Sequence, residues 1–233
     1  MSLHGILRRA RRLWAGDPDR FLRGVSGVIH VGANAGQERS QYASHGLDVV
    51  WIEPIHEMLE SLRSNLAAYP RQRALECLVT DRDDAEYEFH IASNDGQSSS
   101  IFALKEHRDV WPDVEFTRAI KLKSMTWPTL LASEGIDPSG FDALVMDTQG
   151  SELLVLKGAE PILHHLEYVK TEVPDFEAYA GCCRLADIDT FLTAHGFAEF
   201  TRNEFARRTG GGHYYDVVYR RASGEPRRRV GAA

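Results

Sequence analysis

Two glycines and one glutamate carry the first chemical signal in this sequence. Gly32 and Gly36 follow the apolar stretch 27–31, and a polar segment with helix-like composition comes after them. A glycine turn between a strand and a helix lets a ligand approach the backbone, and the free N–H groups of the helix N-terminus can bind its polar atoms. Glu53 ends the next apolar stretch, about 20 residues after the turn, where an acidic side chain can accept hydrogen bonds from ribose hydroxyls. These features together indicate a ligand that contains adenosine.

The same residues have alternative interpretations. The turn sequence GANAG lacks the G-x-G-x-x-G spacing of dinucleotide-binding proteins, so a dinucleotide is only weakly indicated. Glu53 could instead interact with the dipole of a helix that is predicted to begin near Ile55. We favour ribose binding because the acid and the glycine turn occur together at the expected separation.

The elements that must position these residues alternate along the chain. Predicted strands cover residues 27–31, 48–53, 74–80, 85–93, 119–125, 141–147, 167–173, 197–202 and 213–221. Predicted helices cover residues 37–46, 55–69, 127–135, 151–166 and 185–196, and the fourth is interrupted at Gly158 and Pro161. This alternation predicts an α/β fold with a mostly parallel sheet, helices on both faces and an antiparallel hairpin at the end.

Length and composition set outer limits on the protein. Its 233 residues suit one sizeable domain, and the net charge of −7 argues against general binding of nucleic acid. The sequence contains neither an apolar run of roughly 20 residues nor a recognisable signal peptide, so we expect a cytoplasmic protein without stable membrane insertion. Three cysteines without metal-ligand spacing are expected to stay reduced: Cys77, Cys182 and Cys183.

The two ends of the chain differ from its centre. Residues 3–14 have helical apolar spacing with arginines on the other face, which predicts a helix packed on the domain or on a partner subunit. A membrane-surface helix is the alternative. We therefore divide the chain into an N-terminal helical segment (1–24), a domain (25–222) and a flexible tail (223–233) that contains Arg227, Arg228 and Arg229.

Four motifs in sequence resemble one known family. VIHVGANAGQE, VVWIEP, LVMDTQGSELLVLKGAE and VKTEV resemble motifs of the FkbM family of S-adenosylmethionine-dependent methyltransferases, and the resemblance covers residues 27–220. It implies the Rossmann-like class I methyltransferase fold, a seven-stranded, mostly parallel sheet whose last strand is antiparallel. It also implies methylation of hydroxyl groups on sugars, polyketides and related secondary metabolites.

The resemblance assigns residues to the cofactor. It places the methionine part of S-adenosylmethionine at the glycine turn, the ribose at Glu53 and the adenine near the end of the third strand. One departure concerns His30, since class I enzymes usually carry an acid two residues before the first glycine, and any contact of that acid with the cofactor's amino group would need replacing. The expected cofactor-binding residues are His30, Gly32, Ala33, Asn34, Gly36, Glu53, Thr80, Asp81 and Asp147.

Transfer of a methyl group to an aliphatic hydroxyl needs a general base, or a divalent metal ion that acidifies the hydroxyl. The candidates for these roles are Asp147, Glu152, Glu172 and His213. Three of them have a structural alternative: helix capping for Asp147, complementing a helix dipole for Glu152, and an exposed position in a hairpin loop for His213. If Mg²⁺ takes part, we expect Asp147 and Glu172 to bind it.

A further group of residues concerns the acceptor of the methyl group. The resemblance suggests that Asn94, Ser99, Ser100 and Gln149 contact a small-molecule hydroxyl acceptor, for which we favour a sugar. A polyketide or another secondary metabolite is the alternative acceptor. Gln149 is a second departure, because the family often has Asp-x-Glu-Gly where this chain has Asp147-Thr148-Gln149-Gly150, and an amide neither takes a proton nor carries charge. A nucleotide-binding module without catalysis, or a membrane-associated scaffold, is the alternative from another functional class, and a homodimer is compatible with the sequence.

Overall fold

The structure, a computed structural model, describes residues 18–222. The predicted helix at 3–14 and the arginines of the tail therefore lie outside the described residues. Ten strands run through the described part: β1 (Gly27–Val31), β2 (Asp48–Glu53), β3 (Gln72–Glu76), β4 (Leu78–Val79), β5 (Glu86–Ala92), β6 (Phe116–Met125), β7 (Ala143–Met146), β8 (Tyr168–Pro174), β9 (Phe197–Arg207) and β10 (His213–Arg221). The α-helices there are α1 (Arg39–Ser44), α2 (His56–Leu66), α3 (Trp127–Ser133), α4 (Glu152–Ala159) and α5 (Leu185–Ala194).

Seven of these strands form one sheet in the order β3-β2-β1-β7-β8-β10-β9. β1, β2, β3, β7 and β8 pair in parallel, whereas β10 is antiparallel to both of its neighbours, β8 and β9. This confirms the predicted seven-stranded, mostly parallel sheet whose last strand is reversed. Every residue of β1 is buried, as is typical of a central strand covered on both faces.

Helices cover both faces of the large sheet. One core packs α3, α4 and α5 against the sheet through side chains such as Trp127, Leu156 and Ile188. The other packs α1 and α2 against the opposite face, around Trp51 and Leu62. The carboxyl ends of β1, β2 and β7 meet at one edge between these two layers, where an open α/β sheet binds its ligands.

The predicted third strand, 74–80, is wrong as a single element. The chain divides at Cys77 into β3, which pairs with β2, and β4, which pairs with β6 in a second sheet of order β4-β6-β5. The apolar pattern continues through the break because both halves are buried, so the pattern could not show that the pairing partner changes. The second sheet lies beside the first and supplies one wall of the cavity described below.

The predicted interruption of the helix at 151–166 has a clear cause. α4 ends at Ala159, and a 3-10 helix, Glu160–His165, follows with Pro161 in its first turn. At Gly158 a Cβ atom would stand 2.0 Å from the carbonyl oxygen of Thr80, so only glycine allows α4 to approach the segment after β4 this closely.

The glycine-rich run 209–212 forms a tight connection between β9 and β10. Arg208 binds Glu106 and Asp109 of the 3-10 helix Glu106–Asp109, at 3.0 and 2.6 Å. A Cβ atom at Gly212 would stand 2.7 Å from the ring of Phe176. These contacts hold the turn against the body of the protein.

Candidate functional site

A cavity of about 840 Å³ opens at the carboxyl ends of β1, β2 and β7. β4 and the loop after β5 form its opposite wall, and the residues before and within α1 form one end. Eight of the predicted site residues line it: His30, Gly32, Ala33, Asn34, Glu53, Ser99, Asp147 and Gln149. Eight others do not: Gly36, Thr80, Asp81, Asn94, Ser100, Glu152, Glu172 and His213.

The glycine turn after β1 is fixed by backbone contacts. The N–H groups of Gly32 and Ala33 both donate to the carbonyl oxygen of Ile52, at 3.0 and 3.1 Å. Gly32 has φ +79°, and a Cβ atom there would stand 2.0 Å from the carbonyl oxygen of Asp147. A side chain is therefore excluded on both steric and conformational grounds, which leaves the backbone of the turn exposed towards the cavity.

Asn34 and Gly36 complete the turn. Asn34 adopts φ +46°, donates from its amide nitrogen to the carbonyl oxygen of Asp95 at 2.8 Å, and thereby links the turn to the loop after β5. Gly36 faces α2, because a Cβ atom there would stand 2.6 Å from Leu62. The structure thus places Gly36 behind the turn, where it allows close packing, and not at the cavity.

Glu53 is a buried residue in the wall of the cavity. Its side chain accepts hydrogen bonds from the backbone N–H groups of Asn34 at 2.7 Å and Ile55 at 2.9 Å, and only 4% of the residue is exposed. Burial raises the pKa of this carboxyl to about 7, although the two N–H donors oppose the shift. Two hydrogen bonds leave the carboxylate with further acceptor capacity towards the cavity.

His30 is a neutral side chain in the cavity wall. Its Nδ1 lies 3.0 Å from the hydroxyl of Tyr42, and its ring stacks on Trp51 with a centroid distance of 4.7 Å. Burial lowers the pKa of His30 to about 4, against the opposing effect of Glu38. The position that usually carries an acid in class I methyltransferases is therefore uncharged at neutral pH.

Asp147 follows β7 and lines the cavity beside the Gly32 turn. The side-chain amide of Gln149 donates to its Oδ1 at 2.5 Å, and the hydroxyl of Tyr179 donates to the amide oxygen of Gln149 at 2.7 Å. A carboxylate can only accept, so this chain of contacts fixes the orientation of the Gln149 amide. Gln149 thus supplies a donor to Asp147, which a glutamate at the same place could do only when protonated.

Glu152 holds the loop 147–150 in place through hydrogen bonds to its backbone. Its carboxylate accepts from the backbone N–H groups of Thr148 at 2.9 Å and Gly150 at 3.0 Å, and 1% of the residue is exposed. Ser100, fully buried, donates from its hydroxyl to the carbonyl oxygen of Gln149 at 2.8 Å. Both residues support the loop that carries Asp147, and neither reaches the cavity surface, so their sequence-predicted contacts with substrate lack geometric support.

The end of the third predicted strand differs from expectation because the chain divides at Cys77. Thr80 is fully buried and donates its backbone N–H to Met125, while Asp81 lines a separate recess beside α4. Leu78 and Val79 line the main cavity in their place, together with Phe89 of β5. An apolar wall of this kind suits a planar base, and sequence reasoning missed it because β4 was taken as the continuation of β3.

Glu172 and His213 lie beyond the main cavity. Glu172 stands on β8, partly buried and opposite Asp216 of β10. His213 begins β10, where its Nδ1 lies 2.9 Å from Glu204 and its backbone N–H donates to Asp175 at 2.7 Å. Across residues 18–222, no group of three or more histidine, cysteine, aspartate or glutamate side chains is placed to hold a metal ion.

The loop after β5 contributes polar groups to the wall. Ser99 lines the cavity and accepts from the backbone N–H of Ala92 at 3.0 Å, whereas the side chain of Asn94 is bound to Ser98 within the loop. Gln97 also lines the cavity. Asn94 therefore shapes the loop, and Gln97 occupies the wall position that the sequence could not single out among several polar residues.

Three further wall residues come from the first turn of α1 and the residues just before it: Gln37, Glu38 and Gln41. Nothing in their sequence context distinguishes them from the exposed residues of an amphipathic helix. Gln37 and Glu38 become part of the site because α1 begins only at Arg39, which leaves these two residues in a turn. The three cysteines are free and buried, and Cys77 lines the cavity.

Comparisons with known proteins agree with this architecture. Residues 30–199 match the model of the Methyltransferase FkbM domain family. No curated protein matches the chain. Within residues 18–222, none of the helices is both long and apolar enough to cross a membrane.

Two solved structures illustrate the similarity in fold. Magnesium protoporphyrin IX methyltransferase (ChlM) from Synechocystis PCC 6803, with bound SAH, has 10% sequence identity and a TM-score of 0.50, over 94% of this chain and 83% of that one. TrmK from M. capricolum, in complex with S-adenosyl-homocysteine (SAH), has 6% identity and a TM-score of 0.50, over 97% and 71%. At such identities the similarity concerns the fold.

Proposed function

The chain belongs to the FkbM methyltransferase family, and from this premise we propose that it transfers the methyl group of S-adenosylmethionine to a hydroxyl of a small carbohydrate or glycan precursor. The observation that carries the proposal is the buried carboxylate of Glu53 beside the Gly32 turn, both in one wall of the 840 Å³ cavity. The sulfonium of the cofactor supplies an electrophilic methyl group, so the protein mainly positions the reactants and removes a proton.

The wall residues fit this cofactor in three places. The Gly32 turn offers exposed backbone, Glu53 retains acceptor capacity for ribose hydroxyls, and Leu78 and Phe89 give an apolar surface for adenine. ChlM and TrmK, whose structures have a similar fold, contain SAH. Asn34 and Ala33 complete the cofactor side in this proposal, and Gly36 supports them from behind the turn.

Asp147 is the group that we propose accepts the proton of the acceptor hydroxyl. It lies at the cavity, and the amide of Gln149 donates to it, which holds its carboxyl group in one orientation. Glu172 is not part of the cavity lining and acts electrostatically on Tyr179 and Tyr214, so we give it a secondary, electrostatic role. Glu152 and Ser100 act by holding the loop on which Asp147 stands.

A carbohydrate acceptor is supported by the polar groups that share the cavity with Asp147. Gln97 and Ser99 of one loop and Gln37 of another provide neutral donors and acceptors of the kind that bind hydroxyl groups. None of them carries a charge that would demand an ionic acceptor.

The test begins with calorimetric titration of S-adenosylmethionine, SAH and NAD. We expect micromolar binding of the first two and not of NAD, and we expect Glu53→Ala to weaken it at least tenfold. Glu76→Ala is the matched control, since Glu76 ends the neighbouring strand, pairs in register with Glu53 and lies outside the cavity. Absence of binding by both sulfur ligands would overturn the proposal.

Turnover is then measured as transfer of labelled methyl groups to a panel of sugars and polyketide alcohols. Asp147→Asn is expected to keep SAH affinity within a few-fold and to lose most turnover. Transfer to polyketide alcohols alone would show that the acceptor is a polyketide or a related alcohol and not a sugar. Cofactor binding without transfer to any acceptor would favour a nucleotide-binding module.

A further inference from the structure

The cavity has two chemically different ends on either side of Glu53. Leu78, Val79 and Phe89 form an apolar end under the second sheet. The opposite end, beside α1, is polar and contains Glu38 and Gln41. A ligand whose ribose lies at Glu53 and whose base lies at the apolar end must direct its remaining part away from that end.

The polar end presents hydrogen-bond acceptors. The amide nitrogen of Gln41 donates to Asp19 at 3.0 Å, and the amide nitrogen of Gln37 donates to Asn34 at 3.0 Å. These bonds fix both amides so that their oxygens remain as acceptors. Glu38 adds a carboxylate that, within residues 18–222, makes no ion pair and no side-chain hydrogen bond.

Lys170 of β8 is a buried cation that acts on His30 in the cavity wall. Lys170 forms an ion pair with Asp19 at 2.5 Å, and it also interacts electrostatically with Asp216 and Glu38. His30 is neutral, because burial lowers its pKa to about 4. Among residues 18–222, the end of the cavity beside α1 therefore combines a carboxylate without an ion pair and several acceptors, and that combination suits an ammonium group, which has three donors and no acceptor.

We propose that Glu38 binds the α-ammonium group of the methionine part of S-adenosylmethionine and replaces the acid that is absent at residue 30. The inference rests on the proposed function and names the residue that recognises one particular group of its cofactor. Gln41 assists as a neutral acceptor. Because the residue lies eight positions after His30, on the far side of the glycine turn, its role has no counterpart in the local sequence pattern.

The experiment measures dissociation constants of three ligands by calorimetry, for the wild type, Glu38→Gln and Glu38→Ala. The ligands are SAH, its analogue without the α-amino group, and 5′-methylthioadenosine, which lacks the whole amino-acid part. Glu60→Gln is the matched control, since Glu60 is an exposed glutamate of α2 that pairs with Arg63. We expect both Glu38 variants to bind SAH about 10- to 100-fold more weakly.

The other two ligands make the result specific. Binding of methylthioadenosine should be unchanged, and the deaminated analogue should bind Glu38→Gln equally well or more tightly, because its carboxylate no longer meets a like charge. An unchanged SAH affinity in both variants, or an equal loss for all three ligands, would overturn the inference. Failure of the wild type to bind SAH would instead contradict the proposed function.

Discussion

At Gly32 the backbone has φ +79°, and the place of a missing Cβ atom lies 2.0 Å from the carbonyl oxygen of Asp147. Two strands meet at this contact, because Gly32 follows β1 and Asp147 follows β7, and the backbone N–H of Asp147 donates to Val31 at 3.1 Å. The glycine was predictable from its position after an apolar strand. The identity of its neighbour was not, since about a hundred residues separate the two in the chain.

Gly32→Ala should abolish measurable SAH binding and lower the free energy of unfolding by several kcal/mol, because the methyl group meets backbone that cannot rotate away. Gly135→Ala is the matched control: Gly135 has φ +64°, yet nothing lies within 4 Å of the added atom. That variant should lose only about 1 kcal/mol and bind SAH normally. Chemical denaturation and calorimetry measure both effects, and equal losses in the two variants would contradict the steric explanation.

Among the elements, the loop between β7 and α4 is held in its conformation by one carboxylate. Glu152, the first residue of α4, accepts from two backbone N–H groups of the loop and lies 3.4 Å from the thiol of Cys183. In the sequence it was a candidate base, because an acid at this place looks the same whether it faces a substrate or its own backbone. Only the direction of the side chain distinguishes these roles.

Glu152→Gln should lower the free energy of unfolding by about 1–3 kcal/mol, since an amide nitrogen would face backbone donors that need an acceptor. Because the backbone of the same loop packs against Gly32 at the carbonyl oxygen of Asp147, SAH affinity should fall as well. Glu160→Gln, an exposed glutamate that follows α4 and pairs with His195, should leave both quantities unchanged. Loss of turnover in Glu152→Gln with normal stability and affinity would instead restore Glu152 as a candidate base.

At the scale of the whole molecule, two buried titratable groups act in opposite directions. The pKa of Glu53 is raised to about 7 by burial, so the native state binds its proton more tightly than the unfolded chain does. Its contribution to stability is present at low pH and is lost as the pH rises from about 4.5 to 7. The pKa of His30 is lowered to about 4, so its contribution is present above about 6.5 and is lost as the pH falls towards 4.

Between pH 4.5 and 6.5 the contributions of these two groups change in opposite directions. Together they should therefore alter the free energy of unfolding of the wild type very little. Each shift corresponds to roughly 3 kcal/mol, so single variants should reveal a slope. Glu53→Gln should become more stable as the pH rises through this range, and His30→Gln should become less stable. Urea denaturation at several pH values measures both, and parallel pH profiles of the two variants would contradict the compensation.

The order of the elements and the reversed last strand followed from the sequence because each depends on local periodicity and on the general rules of α/β folds. Glu53, Asp147 and the glycine turn followed for the same reason, since all three mark strand ends. Leu78, Phe89 and Glu38 did not, because their place at the cavity results from the change of sheet at Cys77 and from the late start of α1.

The division of the chain at Cys77 places the cavity across a joint between two sheets. Glu53 ends a strand of the large sheet, and Leu78 belongs to the small one. A ligand that contacts both sheets stabilises them together. It therefore couples the local opening of β5 and β6 to the unfolding of the larger sheet. Amide hydrogens of the small sheet that do not contact the ligand would then exchange with solvent more slowly in the complex. The ligand would thus make the unfolding of the two sheets more cooperative.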